Sequence, residues 1–220
     1  MDAVVLLLAC TACSTGMDGV VETAKDALLG ERKSAEVRLD PKFRWLRVAT
    51  QGRFVHLALG YEDQHPLGPI EVWYSGTKEV LRLQNGRVAG AVGLTTEWRS
   101  VSLQGAPAWT SVAGALQPFQ WTRMRDVMPG YRFGVRDHLE VRTISPPKDL
   151  SLNGVETQRL SWFEERVVPS RGSGDGTAAQ YTHLPVARYG VDLKAESVTV
   201  IYGEQCLAPS LCFAWQRVTP

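Results

Sequence analysis

The sequence lacks the features of a nucleic-acid-binding or metal-dependent protein. Its 220 residues hold 24 Lys and Arg against 23 Asp and Glu, a net charge of +1, so no cationic surplus is available to neutralise a phosphate backbone. None of the four histidines pairs with another histidine or a cysteine at metal-ligand spacing. We therefore expect no nucleic-acid partner, no metal and no cofactor.

Signatures of catalysis are equally scarce. The sequence has neither a GxSxG nucleophile elbow nor a Walker loop. The local carboxylate pairs, Glu62-Asp63 and Glu164-Glu165, are neighbours on predicted strands and so point to opposite faces, unlike the acid/base couple of a glycosidase. We expect no catalytic residues and no enzymatic activity. A polysaccharide-acting hydrolase stays open as an alternative, because carboxylates distant in sequence can meet in a cleft.

No apolar run near the N-terminus is long enough to span a bilayer, which takes about 20 residues. The short run Ala3 to Ala9 suits the hydrophobic region of a signal peptide instead. Leu7-Leu8-Ala9-Cys10 fits the box that precedes a lipidated cysteine in bacterial lipoproteins, and Cys13 is a second candidate.

We predict a lipoprotein signal over residues 1–13. No Lys or Arg precedes the apolar run, although signal peptides carry positive charge there, and we interpret this as a misassigned start codon. The alternative is a buried N-terminal strand with two ordinary cysteines.

The other two cysteines, Cys206 and Cys212, lie near the C-terminus with five residues between them, including Pro209. That spacing suits a turn between two strands, and export would place both thiols where disulfides persist. A disulfide between them is one expectation, and two free buried thiols are the other.

Past residue 14 the sequence predicts a single all-β domain over 14–220. One amphipathic helix is predicted over 19–29, with apolar residues at helical spacing. From Glu36 onward apolar residues alternate instead, and Asn85-Gly86 between two such runs is a strong hairpin signal. Many short strands at close spacing indicate an antiparallel barrel or sandwich. The main predicted strands fall at 43–48, 55–59, 70–74, 81–83, 88–92, 101–103, 121–125, 131–135, 139–144, 159–168, 180–184, 198–202 and 211–218.

Seven tryptophans raise the question of sugar binding, because an aromatic face can stack on a sugar ring. Aromatic residues are also favoured in strands and cores. We expect most of them to be buried and select Trp73, Trp98 and Trp121 as a candidate carbohydrate or partner surface.

Four stretches together resemble one known family. They are a lipoprotein-like start followed by Val20 to Ala24; Phe54 to Glu62, with Leu59-Gly60-Tyr61; Trp73 to Leu94, with the Asn85-Gly86 turn; and Trp121 to Val135, with Pro129-Gly130-Tyr131. Their order over about residues 5–140 is similar to that of the YjbF/GfcB outer-membrane lipoproteins, which are encoded with exopolysaccharide or group 4 capsule secretion genes.

The resemblance implies a non-enzymatic accessory of exopolysaccharide or capsule assembly or export. Such a protein would be held in the outer membrane by its N-terminal lipid and would face the periplasm. Its partners would be the polysaccharide, other envelope export proteins, or both. A periplasmic carbohydrate-binding module is the rival hypothesis.

Overall fold

The computed structural model describes residues 39–50, 52–168 and 184–218. The twelve strands over these residues are β1 (Trp45–Thr50), β2 (Arg53–Asp63), β3 (Ile70–Tyr74), β4 (Val80–Gln84), β5 (Arg87–Val92), β6 (Glu97–Ser102), β7 (Phe119–Met128), β8 (Arg132–Ile144), β9 (Ser161–Val167), β10 (Ala187–Asp192), β11 (Thr199–Ala208) and β12 (Leu211–Val218). A five-residue helix, α1 (Trp109–Ala113), joins β6 to β7, and a 3-10 turn (Thr157–Arg159) precedes β9.

The strands close into one antiparallel barrel. Each pairs with its neighbours in sequence, and β1 also pairs with β12, with Trp45 opposite Val218. Closure leaves none of the twelve described strands at an edge where another chain could pair with it. The predicted all-β, barrel-like fold is confirmed. The predicted helix at 19–29 and the predicted signal at 1–13 lie outside the described residues.

The predicted hairpin at Asn85-Gly86 is confirmed. Asn85 has φ of 49° and Gly86 has φ of 76°, as a two-residue turn with positive φ at both positions requires. A side chain at Gly86 would also overlap the side chain of Val200. The turn between β4 and β5 therefore folds against the start of β11.

The barrel has two distinct ends. The end that we call the α1 end carries the β4–β5 turn, α1 and the loops that follow β2, β8 and β10; the chain enters β1 and leaves β12 there. The opposite end, which we call the disulfide end, carries the β7–β8 and β11–β12 turns.

Large side chains fill the barrel. Trp73, Trp98 and Trp215 are each fully buried, and a side chain on Gly203 would collide with the Trp215 indole. A smaller apolar cluster lies outside the barrel wall, where the segment before β9 packs over Trp162 and Tyr202. Within the described part of the chain, no helix has the length and apolarity needed to cross a membrane.

Candidate functional site

The barrel interior contains a buried cluster of charged residues on β7 and β8. Arg123 donates from Nε and Nη2 to Asp137 Oδ2 at 3.0 and 2.8 Å. Arg125 donates from Nε to Oδ2 at 2.6 Å and from Nη2 to Oδ1 at 2.9 Å. The Trp98 ring lies beside both guanidinium groups, with its centroid 4.5 and 4.8 Å from their Cζ atoms. One carboxylate thus binds two arginines.

The cluster holds its acid in the charged form. Burial works to raise the pKa of Asp137, but the hydrogen bond from Arg125 and the charges of Arg123 and Arg125 outweigh it, so the pKa lies below its ordinary value. An acid held ionised in this way is unsuited to donate a proton as a general acid. This cluster is therefore a structural element of the barrel.

A second buried cluster surrounds Arg87 at the α1 end. Arg87 Nε donates to Glu165 Oε1 at 2.6 Å across the barrel. The Trp109 ring of α1 covers the guanidinium, 3.7 Å from its Cζ, and is itself packed against Phe163 and Tyr189. The short helix therefore serves to insert one indole into the barrel mouth.

Two further hydrogen bonds fix this second cluster. Trp109 Nε1 donates to the Asn85 carbonyl at 2.9 Å, which ties α1 to the β4–β5 turn. Tyr189 donates its hydroxyl proton to Gln205 at 3.0 Å. Burial, followed by the charge of Glu165, raises the pKa of Tyr189, so the phenol stays protonated and keeps this bond.

A cavity of about 330 Å³ opens beside Arg87. Its volume falls at the lower end of the range of small-molecule sites, about 300–1,000 Å³. The lining combines polar groups on the β4–β5 turn with apolar groups from neighbouring loops: Leu67, Gln84, Asn85, Arg87, Leu103, Gly105, Ala106, Pro107, Ala108, Trp109, Thr110 and Val198. None of these described lining residues is acidic, and Arg87 is the basic one. The cavity can bind an acceptor-rich group and offers no carboxylate for acid–base catalysis.

Two donors next to this cavity are buried without an acceptor. Neither Arg87 Nη2 nor Trp121 Nε1 has a hydrogen-bond partner among the described residues, and the Arg87 Cζ lies 5.6 Å from the Trp121 ring centroid. Buried donors are paired in the great majority of cases, because an unpaired one costs free energy. The region around Arg87 therefore has more donors than acceptors.

The tryptophans selected from the sequence do not form an exposed surface, and that prediction is wrong. Trp73, Trp98 and Trp121 all point into the barrel and are buried. Trp98 donates to the Leu207 carbonyl at 3.0 Å, and Trp73 donates to Glu71 at 3.3 Å. Strand alternation shows which residues share a face but not which face lies inside, and these three indoles belong to the interior core.

The cysteines fall into two groups. Cys206 on β11 lies opposite Cys212 on β12, and a disulfide joins them. It spans the turn at the disulfide end, far from the Arg87 cavity. Cys10 and Cys13 lie outside the described residues, so the lipidation site remains a prediction.

The β7–β8 hairpin tip exposes two aromatic side chains. Tyr131 and Phe133 are 77% and 67% exposed, although the Gly134 amide is held by the Asp126 carboxylate at 2.8 Å. Pro129-Gly130-Tyr131 lies in a family-like stretch of the sequence, and the sequence carries no signal of its exposure. A rigid tip that presents two aromatic rings to solvent suits contact with another protein.

Comparisons with known proteins agree with the fold. A family profile described as "Group 4 capsule polysaccharide lipoprotein gfcB, YjbF" matches residues 45–213, beyond the limit at about residue 140 that the sequence alone suggested. The crystal structure of the hypothetical lipoprotein YmcC from Escherichia coli (K12) superposes with a TM-score of 0.56 at 17% identity, covering 81% of this chain and 86% of that one. No curated protein matches.

The structural likeness at that identity supports the fold alone, whereas the family profile covers most of the chain and nearly the whole barrel. The chain therefore belongs to the YjbF family of group 4 capsule polysaccharide lipoproteins.

Proposed function

We propose that this chain is an outer-membrane lipoprotein that faces the periplasm and acts as a non-enzymatic accessory in exopolysaccharide or capsule assembly or export. A lipid at Cys10 or Cys13 would hold it in the membrane. Its partners would be the polysaccharide and other proteins of the export machinery. The domain would comprise residues 14–220, and residues 1–13 would be the signal.

The family match over 45–213 carries the proposal. The Arg87 cavity lies at the α1 end of the barrel, where β1 begins. The β7–β8 tip lies at the opposite end, and its exposed aromatic rings suit contact with another protein of the machinery.

The chemistry of the cavity supports binding over catalysis. A glycosidase needs one carboxyl group to protonate the leaving oxygen and a second as base or nucleophile. The described residues that line the cavity provide neither, and the nearby Glu165 is held by Arg87. The carbohydrate-binding module is therefore the second candidate function, and the two share one prediction: the barrel binds polymer without cleaving it.

Mass spectrometry of the protein purified from host membranes tests the anchor. The gene is expressed in its native host with its own upstream sequence. We expect a diacyl or triacyl modification on one cysteine. Cys10→Ala and Cys13→Ala serve as controls for each other, because one should abolish acylation and membrane retention while the other leaves both unchanged.

Capsule assays test the role. In a strain that lacks the gene, we expect less polysaccharide at the cell surface and restoration by the wild-type chain. Purified protein should leave the length of the polymer unchanged on prolonged incubation. An unmodified N-terminus, surface polysaccharide that does not depend on the gene, or shortening of the polymer would each contradict the proposal.

A further inference from the structure

Arg87 makes fewer hydrogen bonds to its carboxylate than the two arginines of the Asp137 cluster make to theirs. Arg123 and Arg125 together direct four hydrogen bonds to Asp137. Arg87 directs a single bond to Glu165, from Nε, while its Nη2 is buried and has no partner within the described residues. Because its side chain is 4% exposed, bulk water does not solvate this donor as it would at the surface.

The buried charges inside the barrel also favour a negatively charged ligand near Arg87. Among the described residues that are buried, charged and face the interior, three arginines meet two carboxylates, Asp137 and Glu165, while the buried Glu204 lies on the outer wall beside Tyr202. A surplus of buried positive charge is costly unless it is paired. The arginine of this set that borders an open cavity is Arg87, so a negatively charged group would be drawn to this place.

The shape of the cavity restricts the size of that group. A volume of about 330 Å³ accommodates a small polar ligand rather than a peptide segment. The remaining lining provides Asn85 and Thr110 as polar side chains beside apolar carbons. Mixed polar and apolar walls suit a sugar ring, which presents hydroxyl groups at its rim and C–H groups on its faces.

We propose that the cavity at the α1 end binds a carboxylate-bearing sugar unit of the polymer, with the Arg87 guanidinium donating to the carboxylate. This inference rests on the proposed function, since the polymer would supply the ligand. A guanidinium already oriented by Glu165 and Trp109 is pre-organised for a carboxylate oxygen, because its remaining N–H groups have fixed directions. The sugar ring would lie against the loop that contains Ala106 and Ala108.

Calorimetric titration of the full-length protein in detergent micelles tests the inference, with D-glucuronate, D-glucose and acetate as separate probes. We expect glucuronate to bind at least about tenfold more tightly than glucose, since a charged hydrogen bond separates the two. Acetate should bind more weakly than glucuronate because it lacks the ring.

Arg87→Lys is the informative variant. Lysine keeps the charge and can still pair with Glu165, but it lacks the second donor of the fork. We expect glucuronate affinity to fall about ten- to a hundredfold, with little change in glucose affinity. Arg123→Lys makes the same exchange in the interior away from the cavity and should bind glucuronate like the wild type. Ala108→Trp at the exposed rim should block both sugars, and circular dichroism checks that each variant is folded.

Equal affinity for glucuronate and glucose, acetate binding as tight as glucuronate, or wild-type affinity in Arg87→Lys would each overturn the inference. Complementation separates it from the proposed function. If the wild-type gene and Arg87→Lys restore surface polysaccharide equally, the cavity proposal fails and the accessory role stands. If the wild-type gene has no effect on polysaccharide, the accessory role fails whatever the titration shows.

Discussion

Replacing Asp137 by asparagine removes the one carboxylate that binds two arginines. Asparagine has the same shape but no charge, so two buried guanidinium groups lose their counter-ion while four hydrogen bonds are weakened or lost. Breaking a buried ion pair from one side costs about 3–5 kcal/mol. With a urea slope of about 2 kcal/mol/M, the unfolding midpoint should fall by about 1.5–2.5 M.

The loss should depend on pH in a defined direction. The pKa of Asp137 is lower in the folded protein than its ordinary value, which is about 3.9 in the unfolded chain. Its stabilisation is therefore complete above that value and disappears as pH falls through the folded pKa. Urea unfolding at pH 7, 5 and 3 should show a constant difference between wild type and Asp137→Asn at the first two values and a smaller one at the third.

A matched variant distinguishes burial from charge alone. Glu164→Gln removes a carboxylate that pairs with Arg142 at 2.6 Å on the outer wall, where that arginine is half exposed. Exposed pairs contribute about 0–1 kcal/mol, so this variant should lose little. If Asp137→Asn also loses less than about 1 kcal/mol, or if its deficit grows toward low pH, the role assigned to the cluster is wrong.

Three further predictions concern packing, the disulfide and the exposed tip. Gly203→Ala should destabilise the barrel by more than about 2 kcal/mol in urea unfolding, because the new methyl group would collide with the Trp215 indole. Gly76 has open space around it, so Gly76→Ala should change stability by less than about 0.5 kcal/mol. Equal effects of the two substitutions would contradict the packing described for Gly203. Cys206→Ser should lower the free energy of unfolding by about 2 kcal/mol, because the disulfide no longer restricts a small loop in the unfolded chain. Reductant should lower the stability of the wild type by the same amount and leave that of the variant unchanged. Tyr131→Ser should leave the free energy of unfolding within about 0.5 kcal/mol of the wild-type value while lowering surface polysaccharide in complementation. A large loss of stability would show that the ring is structural.

The sequence was sufficient to predict the strand-rich fold and its most local feature. Alternation located β1 to β5 within a few residues, and Asn85-Gly86 fixed one turn because its backbone angles are a local property. The alternation of apolar residues did not predict β10, because Arg188 and Gly190 weaken the strand pattern there. The predicted strand at 180–184 lies almost wholly outside the described residues.

The candidate site could not be predicted from the sequence, because charged residues face the interior where apolar residues are usually expected. On β7 the arginines face the interior, while the apolar Met124 between them is exposed. Alternation of polarity would place Arg123 and Arg125 in solvent. Their partner comes from the next strand, and Arg87 meets a carboxylate 78 positions away. Such pairs become visible only when the barrel is closed.

Substitutions in the two interior clusters should have opposite effects on stability and on binding. Measuring both properties in both variants therefore tests both assignments. The Asp137 cluster has its hydrogen bonds directed inward among its own members, so Asp137→Asn should lose stability but, where folded, bind glucuronate like the wild type. Arg87→Lys keeps the buried charge pair and should lose affinity with little change in stability. Buried ion pairs add little net stability compared with apolar packing. Ligand binding therefore explains an arginine with an unpaired nitrogen beside an open cavity better than a contribution to folding does. If both variants lost stability and affinity together, the clusters would act as one structural unit, and the separate binding role of Arg87 would be refuted.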